Sequence, residues 1–380
     1  MPTPNPPTFD PSGGRAALLD REGVRAGVDD ALSRCVGELA AELAATHPDC
    51  APLVDATSEL LSGGKRLRAA FCYWSWRAYG GDRQDDGMRE VALRAGAALE
   101  LFQAAALFHD DVMDASDTRR GRPTAHRAFT ALHRDRGWTG DGDRYGQSTA
   151  ILLGDLALIA SHRELGDATA GLPGTIRAGA RGVFGRMQTE VTAGQYLDMH
   201  AQVLPWDAGT AELEQRARAV IRAKSARYSV ENPLALGAAL AGADEVAIRA
   251  VREFGLPLGE AFQLRDDVLG VFGDSRVTGK PAGDDLREGK RTVLVLRALD
   301  RADPSGRELL RTHLGDPHLD AVTVERIREV IVTTGALDEV EALIDDLTRQ
   351  AEDALDAAAL GQPGAGVLRE LADAAVRRRA

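Results

Sequence analysis

Apolar residues along this chain cluster in stretches of ten to thirty positions, broken by short Gly-, Pro- and Asp-rich segments, and almost never alternate one by one. Ala, Leu, Arg and Glu dominate the long stretches, and these are strong helix formers; alternating β-branched runs are nearly absent. The pattern predicts helices at about 23–46, 52–61, 67–78, 87–113, 147–166, 172–202, 210–228, 230–241, 245–271, 291–300, 305–314, 320–334, 337–360 and 364–379. Gly63-Gly64 and Gly80-Gly81 mark two helix ends, where glycine tolerates the left-handed turn that closes a helix. Arg134 to Gly146 reads as a loop, and Asp274 to Gly289 as a second irregular stretch. No linker divides the remainder. The expectation is an all-α fold, a disordered Pro- and Gly-rich lead-in over 1–17 followed by one large helical domain over 18–380.

Composition narrows the function. The chain has 380 residues, 44% of them hydrophobic, enough for a sizeable core. A formal net charge of -12 and the lack of a basic stripe argue against a nucleic-acid binder. Three cysteines, Cys35, Cys50 and Cys72, show no CxxC spacing, so neither a zinc site nor a disulfide framework is expected, and a reducing cytoplasm fits. The N-terminus has no basic start followed by an apolar run, and no run of eighteen apolar residues appears, so neither a signal peptide nor a membrane span is expected.

The chemistry concentrates in carboxylates. Asp110-Asp111-Val112-Met113-Asp114 closes the apolar stretch from Leu99, and Asp266-Asp267 lies in a similar setting, Phe262 to Leu269. Carboxylates at i and i+4 share one helix face. Two such helices facing each other suit Mg²⁺, which takes few protein carboxylates and completes its shell with water and substrate phosphates. Acid at a helix C-terminus opposes the helix dipole, a cost that a bound cation would offset; the alternative is a solvated helix end. Four further features weigh against that alternative. Lys65 and Arg68 share a face at a predicted helix start, where free N–H groups add affinity for anions. Arg119-Arg120 follow the acidic helix, and arginine grips phosphate through a rigid fork of donors. Lys224-Ser225 and Lys280 add basic groups that would read as surface if taken singly. Gln103 and Gln263 place one amide in each acidic helix, on the side of the carboxylates, and a buried amide needs a partner.

Together these segments resemble the trans-isoprenyl diphosphate synthases of the polyprenyl synthetase family, most like a bacterial geranylgeranyl diphosphate synthase. The likeness runs from about Leu53 to the C-terminus. It is carried by GGKRLRA (63–69), ELFQAAALFHDDVMDASDTRRGRPTAHR (100–127), GQSTAILLGDLAL (146–158), GQYLDM (194–199), AKSA (223–226), FQLRDDVLGVFGD (262–274) and TGKPAGDDLREGKRT (278–292). The resemblance implies the isoprenoid synthase bundle with a central cavity, and a homodimer. It implies three Mg²⁺ ions, with Asp110 and Asp114 as ligands, Asp111 supporting them and Asp266 holding the third. It assigns Arg119, Lys224 and Lys280 to the allylic diphosphate and Lys65, Arg68, Gln103 and Arg120 to isopentenyl diphosphate. Ser225 stands where Thr is common, Gln263 lies near the reacting carbons, and Gln195 is expected to line the cavity. Arg377, Arg378 and Arg379 are candidates to fold over the isopentenyl diphosphate site.

The implied reaction is isoprenoid biosynthesis by Mg²⁺-dependent head-to-tail condensation of isopentenyl diphosphate with dimethylallyl, geranyl or farnesyl diphosphate. One departure stands out: Gly270 replaces the last Asp of the second motif, and Asp274 is a possible substitute. Ala105 and Ala106 stand where bulky aromatics stop short products in the family. The resemblance therefore implies a C20 product, with C25 or longer as the alternative, and Phe71, Tyr73, Trp74 and Trp76 as candidates for a lower floor. A class I terpene cyclase is the enzymatic rival, but it has no use for a second diphosphate site and the chain lacks its NSE-type motif. A non-catalytic partner subunit is the other rival, and it would tend to lose the first Asp motif.

Overall fold

In the computed structural model, which describes residues 21–206, 209–273 and 283–377, nearly every predicted helix forms. The helices are α1 (Val24–Thr46), α2 (Ala51–Leu61), α3 (Leu67–Ala78), α4 (Asp86–Met113), α5 (Ala125–Asp135), α6 (Gly142–Ala168), α7 (Gly174–Val203) and α8 (Thr210–Val220). A π-helical segment (Ile221–Glu231) continues α8 directly into α9 (Asn232–Leu240). Then follow α10 (Glu245–Phe272), α11 (Asp284–Arg287), α12 (Val293–Arg301), α13 (Pro304–His313), α14 (Ala321–Thr333), α15 (Ala336–Ala357) and α16 (Gly364–Val376). The strands among the described residues are a two-residue antiparallel pair, β1 (Thr118–Arg119) and β2 (Arg122–Pro123). The lead-in 1–17, Asp274, Lys280, Arg378 and Arg379 lie outside the described residues.

α4 and α10 carry the two acidic motifs and run through the middle of the bundle. α4 packs against α6, α3 and α1, and α10 against α15, the π segment and α9. One contiguous apolar core joins them, from Val24 to Val376. By length and composition alone α4 is long and apolar enough to cross a membrane. However, most of it is buried inside the bundle, as in a core helix.

Three differences from expectation have physical reasons. α5 was not predicted, because its buried face uses histidines: His126 lies 3.1 Å from Thr124 Oγ1 and His133 lies 3.1 Å from the Thr139 carbonyl. α6 begins at Gly142, inside the expected loop, because Asp141 caps it by accepting from the N–H groups of Asp143 and Arg144 at 3.0 and 3.1 Å. The break expected near 229 does not exist; the helix widens there instead. Two glycines permit this. A Cβ on Gly194 would meet Lys224 N at 2.4 Å, and one on Gly259 would meet the Ala226 carbonyl at 2.5 Å. Thus α7 and α10 can approach the backbone of the π segment closely and bring its side chains between the acidic helices.

Candidate active site

A cavity of about 1010 Å³ opens between these elements, lined among others by Gln103 and Asp110 of α4, Gln263, Asp266 and Asp267 of α10, and Lys224, Ser225 and Tyr228 of the π segment. Gly64, Lys65, Arg68 and Arg120 line the same space.

At the end of α4, Asp110 faces the π segment, with Lys224 Nζ 3.2 Å from its Oδ1. Lys224 is also held by Asp198 of α7 at 2.6 Å. Burial pushes the Asp110 carboxyl up, but Lys224, Lys290 and Arg119 outweigh it and hold the group below its ordinary range. Asp114 is the opposite case: burial and the neighbouring Asp110 push it up to about 7. Asp111 is buried and takes Arg119 in a close pair, Nη2 to Oδ1 at 2.6 Å and Nε to Oδ1 at 2.8 Å. Arg119 also lies 3.5 Å from Asp110, so it bridges two carboxylates of the motif.

On α10, Gln263 is fixed from both ends. Its carbonyl accepts from the Ser225 hydroxyl, and its Nε2 donates to Asp267 Oδ1 at 2.8 Å. Burial, then the charge of Asp285, push Asp267 up to about 8. Lys290 ties the α11 segment to the first acidic helix, contacting Glu288 and lying 3.4 Å from Asp285 Oδ1 and 3.9 Å from Asp114 Oδ2.

A second basic group stands across the cavity. The tight turn between β1 and β2 needs positive φ at Arg120 (52°) and Gly121 (73°). It sends the Arg120 guanidinium over Gly64, where an added Cβ would lie 3.8 Å from Nη2. Arg68 donates to Ser229 Oγ at 2.8 Å, stacks 4.2 Å from the centre of the Tyr228 ring and keeps a buried Nε without a hydrogen-bond partner. Burial, then Arg119, Arg66 and Arg68, press the Arg120 guanidinium below its ordinary range. An electropositive corner with an unused donor is suited to a polyanion.

The structure departs from sequence expectation at several positions. Gln195, like Asp111, Asp114 and Arg119, is not among the cavity-lining residues. It sits beside Met113, Nε2 to Sδ 4.0 Å, while Asp198, three residues further along α7, reaches Lys224. Phe71, Tyr73, Trp74 and Trp76 are turned into the core at 0–1% exposure and form no cavity floor. Ala105 is buried at 2% and Ala106 is half-buried. The first aromatic layer beyond them is Phe102, edge-to-face with Tyr228 at 5.6 Å and with Phe184 at 6.2 Å. Lys280 lies outside the described residues. Sequence reasoning missed Asp198, Asp285, Glu288 and Lys290. The last three stand inside the matching segment 278–292, which was the available signal.

The donor set fits a hard divalent cation. Carboxylates at the ends of two facing helices offer oxygen ligands, and Asp114 and Asp267 carry shifts that a cation would relieve. Among the described residues no three His, Cys, Asp or Glu side chains gather into a complete ligand set. Mg²⁺ takes few protein carboxylates and completes its shell with phosphate oxygens and water, so a sparse carboxylate set is compatible with it.

A helical bundle with paired acidic helices and a separate basic corner around one cavity defines a diphosphate-handling enzyme of the isoprenoid synthase fold. The polyprenyl synthetase family model matches residues 51–331, and the chain belongs to that family. It is similar to geranylgeranyl diphosphate synthase of Sulfolobus acidocaldarius, 31% identical over 87% of this chain and 92% of that one. It is similar also to geranylfarnesyl diphosphate synthase of Aeropyrum pernix, 32% identical over 77% and 83%. A crystal structure of geranylgeranyl pyrophosphate synthase from Corynebacterium glutamicum, complexed with isoprenyl diphosphate and magnesium, matches with a TM-score of 0.86 at 38% identity, covering 95% of this chain and 99% of that one. The chain is a trans-prenyltransferase of isoprenoid biosynthesis.

Proposed function

We propose that the chain condenses isopentenyl diphosphate with dimethylallyl, geranyl and farnesyl diphosphates head-to-tail and releases chiefly geranylgeranyl diphosphate. One observation supports the two-substrate reading: basic groups stand on two sides, Lys224 in the cavity lining with Arg119 paired to the first acidic motif on one side, and Lys65, Arg68 and Arg120 in the lining on the other. A cyclase acting on one diphosphate would not use the second group.

Asp110, Asp114 and Asp266 would hold Mg²⁺, three ions in all, with Asp111 kept in place by Arg119. When bound, the ions supply positive charge to the leaving diphosphate. Lys224, Arg119 and Lys280 bind and orient that diphosphate as its C–O bond breaks and it departs with the electron pair. Fixed positive charge aimed there stabilises the transition state electrostatically. Lys65, Arg68, Arg120 and Gln103 hold isopentenyl diphosphate so that its double bond meets the allylic carbon. Gln263, locked by Ser225 and Asp267, borders the reacting carbons. The π pair of the isopentenyl double bond forms the new C–C bond, and the tertiary cation left behind re-forms a double bond as the neighbouring carbon gives a proton to the departed diphosphate.

Chain length follows from depth. Ala105 and Ala106 put no bulky side chain in the first turn below Asp110, and Phe102 stands one turn further, about 5.4 Å down the helix. That depth supports C20. Ile151, Leu152 and Ile159 form an exposed apolar stripe on α6, which we assign to a homodimer contact; sedimentation of the purified protein tests it. The three thiols are free, in keeping with a cytoplasmic enzyme.

The test is incubation with Mg²⁺, isopentenyl diphosphate and each allylic diphosphate, with the products dephosphorylated and sized by chromatography. A C20 alcohol supports the full reading. A C25 or longer ladder would keep the reaction and move the floor, and cyclic hydrocarbons formed without isopentenyl diphosphate would refute it.

A further inference from the structure

The second acidic helix carries Gly270 four residues after Asp266, where repetition of the Asp110–Asp114 spacing would place a carboxylate. The space above Gly270 is already occupied. A Cβ built there falls 1.9 Å from Asp285 Oδ2, 2.7 Å from its Cγ and 3.4 Å from its Oδ1. An aspartate at 270 and the present Asp285 side chain would compete for one position. Asp285 comes from α11, whose first turn follows Gly283 at a φ of 76°. Its side chain is 16% exposed and lines the cavity beside Asp266 and Asp267.

A second observation points to a cation between the helices at this level. The Lys290 ammonium lies between Asp285, at 3.4 Å, and Asp114 of the first acidic helix, at 3.9 Å, and touches Glu288. The Lys290 backbone N–H also donates to the Asp285 carbonyl at 3.1 Å, which ties the ammonium and the carboxylate to one turn of chain.

We propose that Asp285 supplies the carboxylate missing at position 270, as a positioning residue for the diphosphate-bound cation beside Asp266, and that Lys290 neutralises it until that cation arrives. The proposal rests on the assignment of Asp266 to Mg²⁺. It makes Gly270 and Asp285 a matched pair: the absent side chain on one element is what admits the carboxylate from the other.

The experiment compares wild type with Asp266→Ala, Asp285→Asn, Asp285→Gly and the double variant Gly270→Asp/Asp285→Gly. Two readouts are taken: the Mg²⁺ concentration for half-maximal condensation, and calorimetric binding of Mg²⁺ in the presence of inorganic pyrophosphate. Loss of an orienting carboxylate at a metal site weakens binding about tenfold or more, and both Asp285 variants are expected to lose that much in both readouts. The double variant is expected to return to within about threefold of wild type, because the carboxylate is restored from the other side. Asp285→Asn keeps the shape of the side chain, so its thermal midpoint separates misfolding from loss of charge. Wild-type Mg²⁺ dependence in Asp285→Asn, or a double variant no better than Asp285→Gly, would overturn the proposal. If Asp266→Ala also leaves the calorimetric isotherm unchanged, the metal assignment itself fails.

Discussion

Replacing Asp267 with asparagine should make the protein more stable and less active. Asp267 is buried, accepts from Gln263 and faces Asp285, and its carboxyl is pushed from 3.8 up to about 8. The folded state therefore binds a proton that the unfolded chain releases near pH 4. The favourable contribution of this group is complete below pH 3.8 and is lost as pH rises, until the loss levels off above about 8. At about 1.4 kcal/mol per unit, the full shift has a ceiling of about 5–6 kcal/mol. Relaxation and water entry reduce this, and about 2 kcal/mol at pH 8 is a realistic expectation. Asparagine has no proton to lose, keeps an oxygen for the Gln263 amide and escapes the pH-dependent loss. The assay is thermal unfolding with a chelator present at pH 5, 6.5 and 8. The advantage of Asp267→Asn should be small at pH 5 and grow to several degrees at pH 8, while turnover with Mg²⁺ falls about tenfold or more. An advantage that is the same at every pH, or largest at pH 5, would refute the reasoning.

The other predictions are simpler. Arg66 is buried with its Nε 2.8 Å from Asp29 and its Nη1 3.4 Å from Glu100; Arg66→Ala strands the buried Glu100 and should cost about 3–5 kcal/mol in denaturant titration. Arg68→Ala should raise KM for isopentenyl diphosphate at least about tenfold while leaving KM for the allylic substrate within about twofold, as steady-state kinetics with each substrate varied will report. Ala106→Phe fills the turn above Phe102 and should shift the main product from C20 to C15, read by chromatography of the dephosphorylated alcohols.

Much of this was legible in the residues themselves. The helices followed from composition and punctuation, and the residue types and spacing singled out Asp110, Asp266, Arg120, Lys65 and Lys224, which the fold brings around one cavity. What failed was long-range. Gln195 and Asp198 share one helix, and only the placement of α7 against the π segment decides that Asp198 meets Lys224. The aromatic run of α3 looked like a possible cavity floor because nothing local shows that its whole surface is covered by α4, α9 and α16. α5 was hidden because histidines occupy positions where the pattern sought aliphatic residues. Asp274, the substitute the sequence offered for the gap at Gly270, lies outside the described residues; among those described, Asp285, brought back by a turn, stands beside Gly270.

The wide helical turn between α8 and α9 has a consequence for how this enzyme tolerates change. Lys224, Ser225, Tyr228 and Ser229 all reach the cavity from one eleven-residue segment, because bonds from residue i to i+5 spread each turn over more residues than an α-helix does. The site thus depends on residue count as well as on residue identity. Removing one alanine from this segment, at a position that touches no substrate, would let the backbone tighten to ordinary α geometry and rotate every later side chain about the axis. Lys224 could keep Asp110 only if Tyr228 and Ser229 gave up Arg68. A lineage carrying this segment can exchange its side chains one at a time, but can shorten it only by giving up either the Lys224–Asp110 contact or the hold of Tyr228 and Ser229 on Arg68.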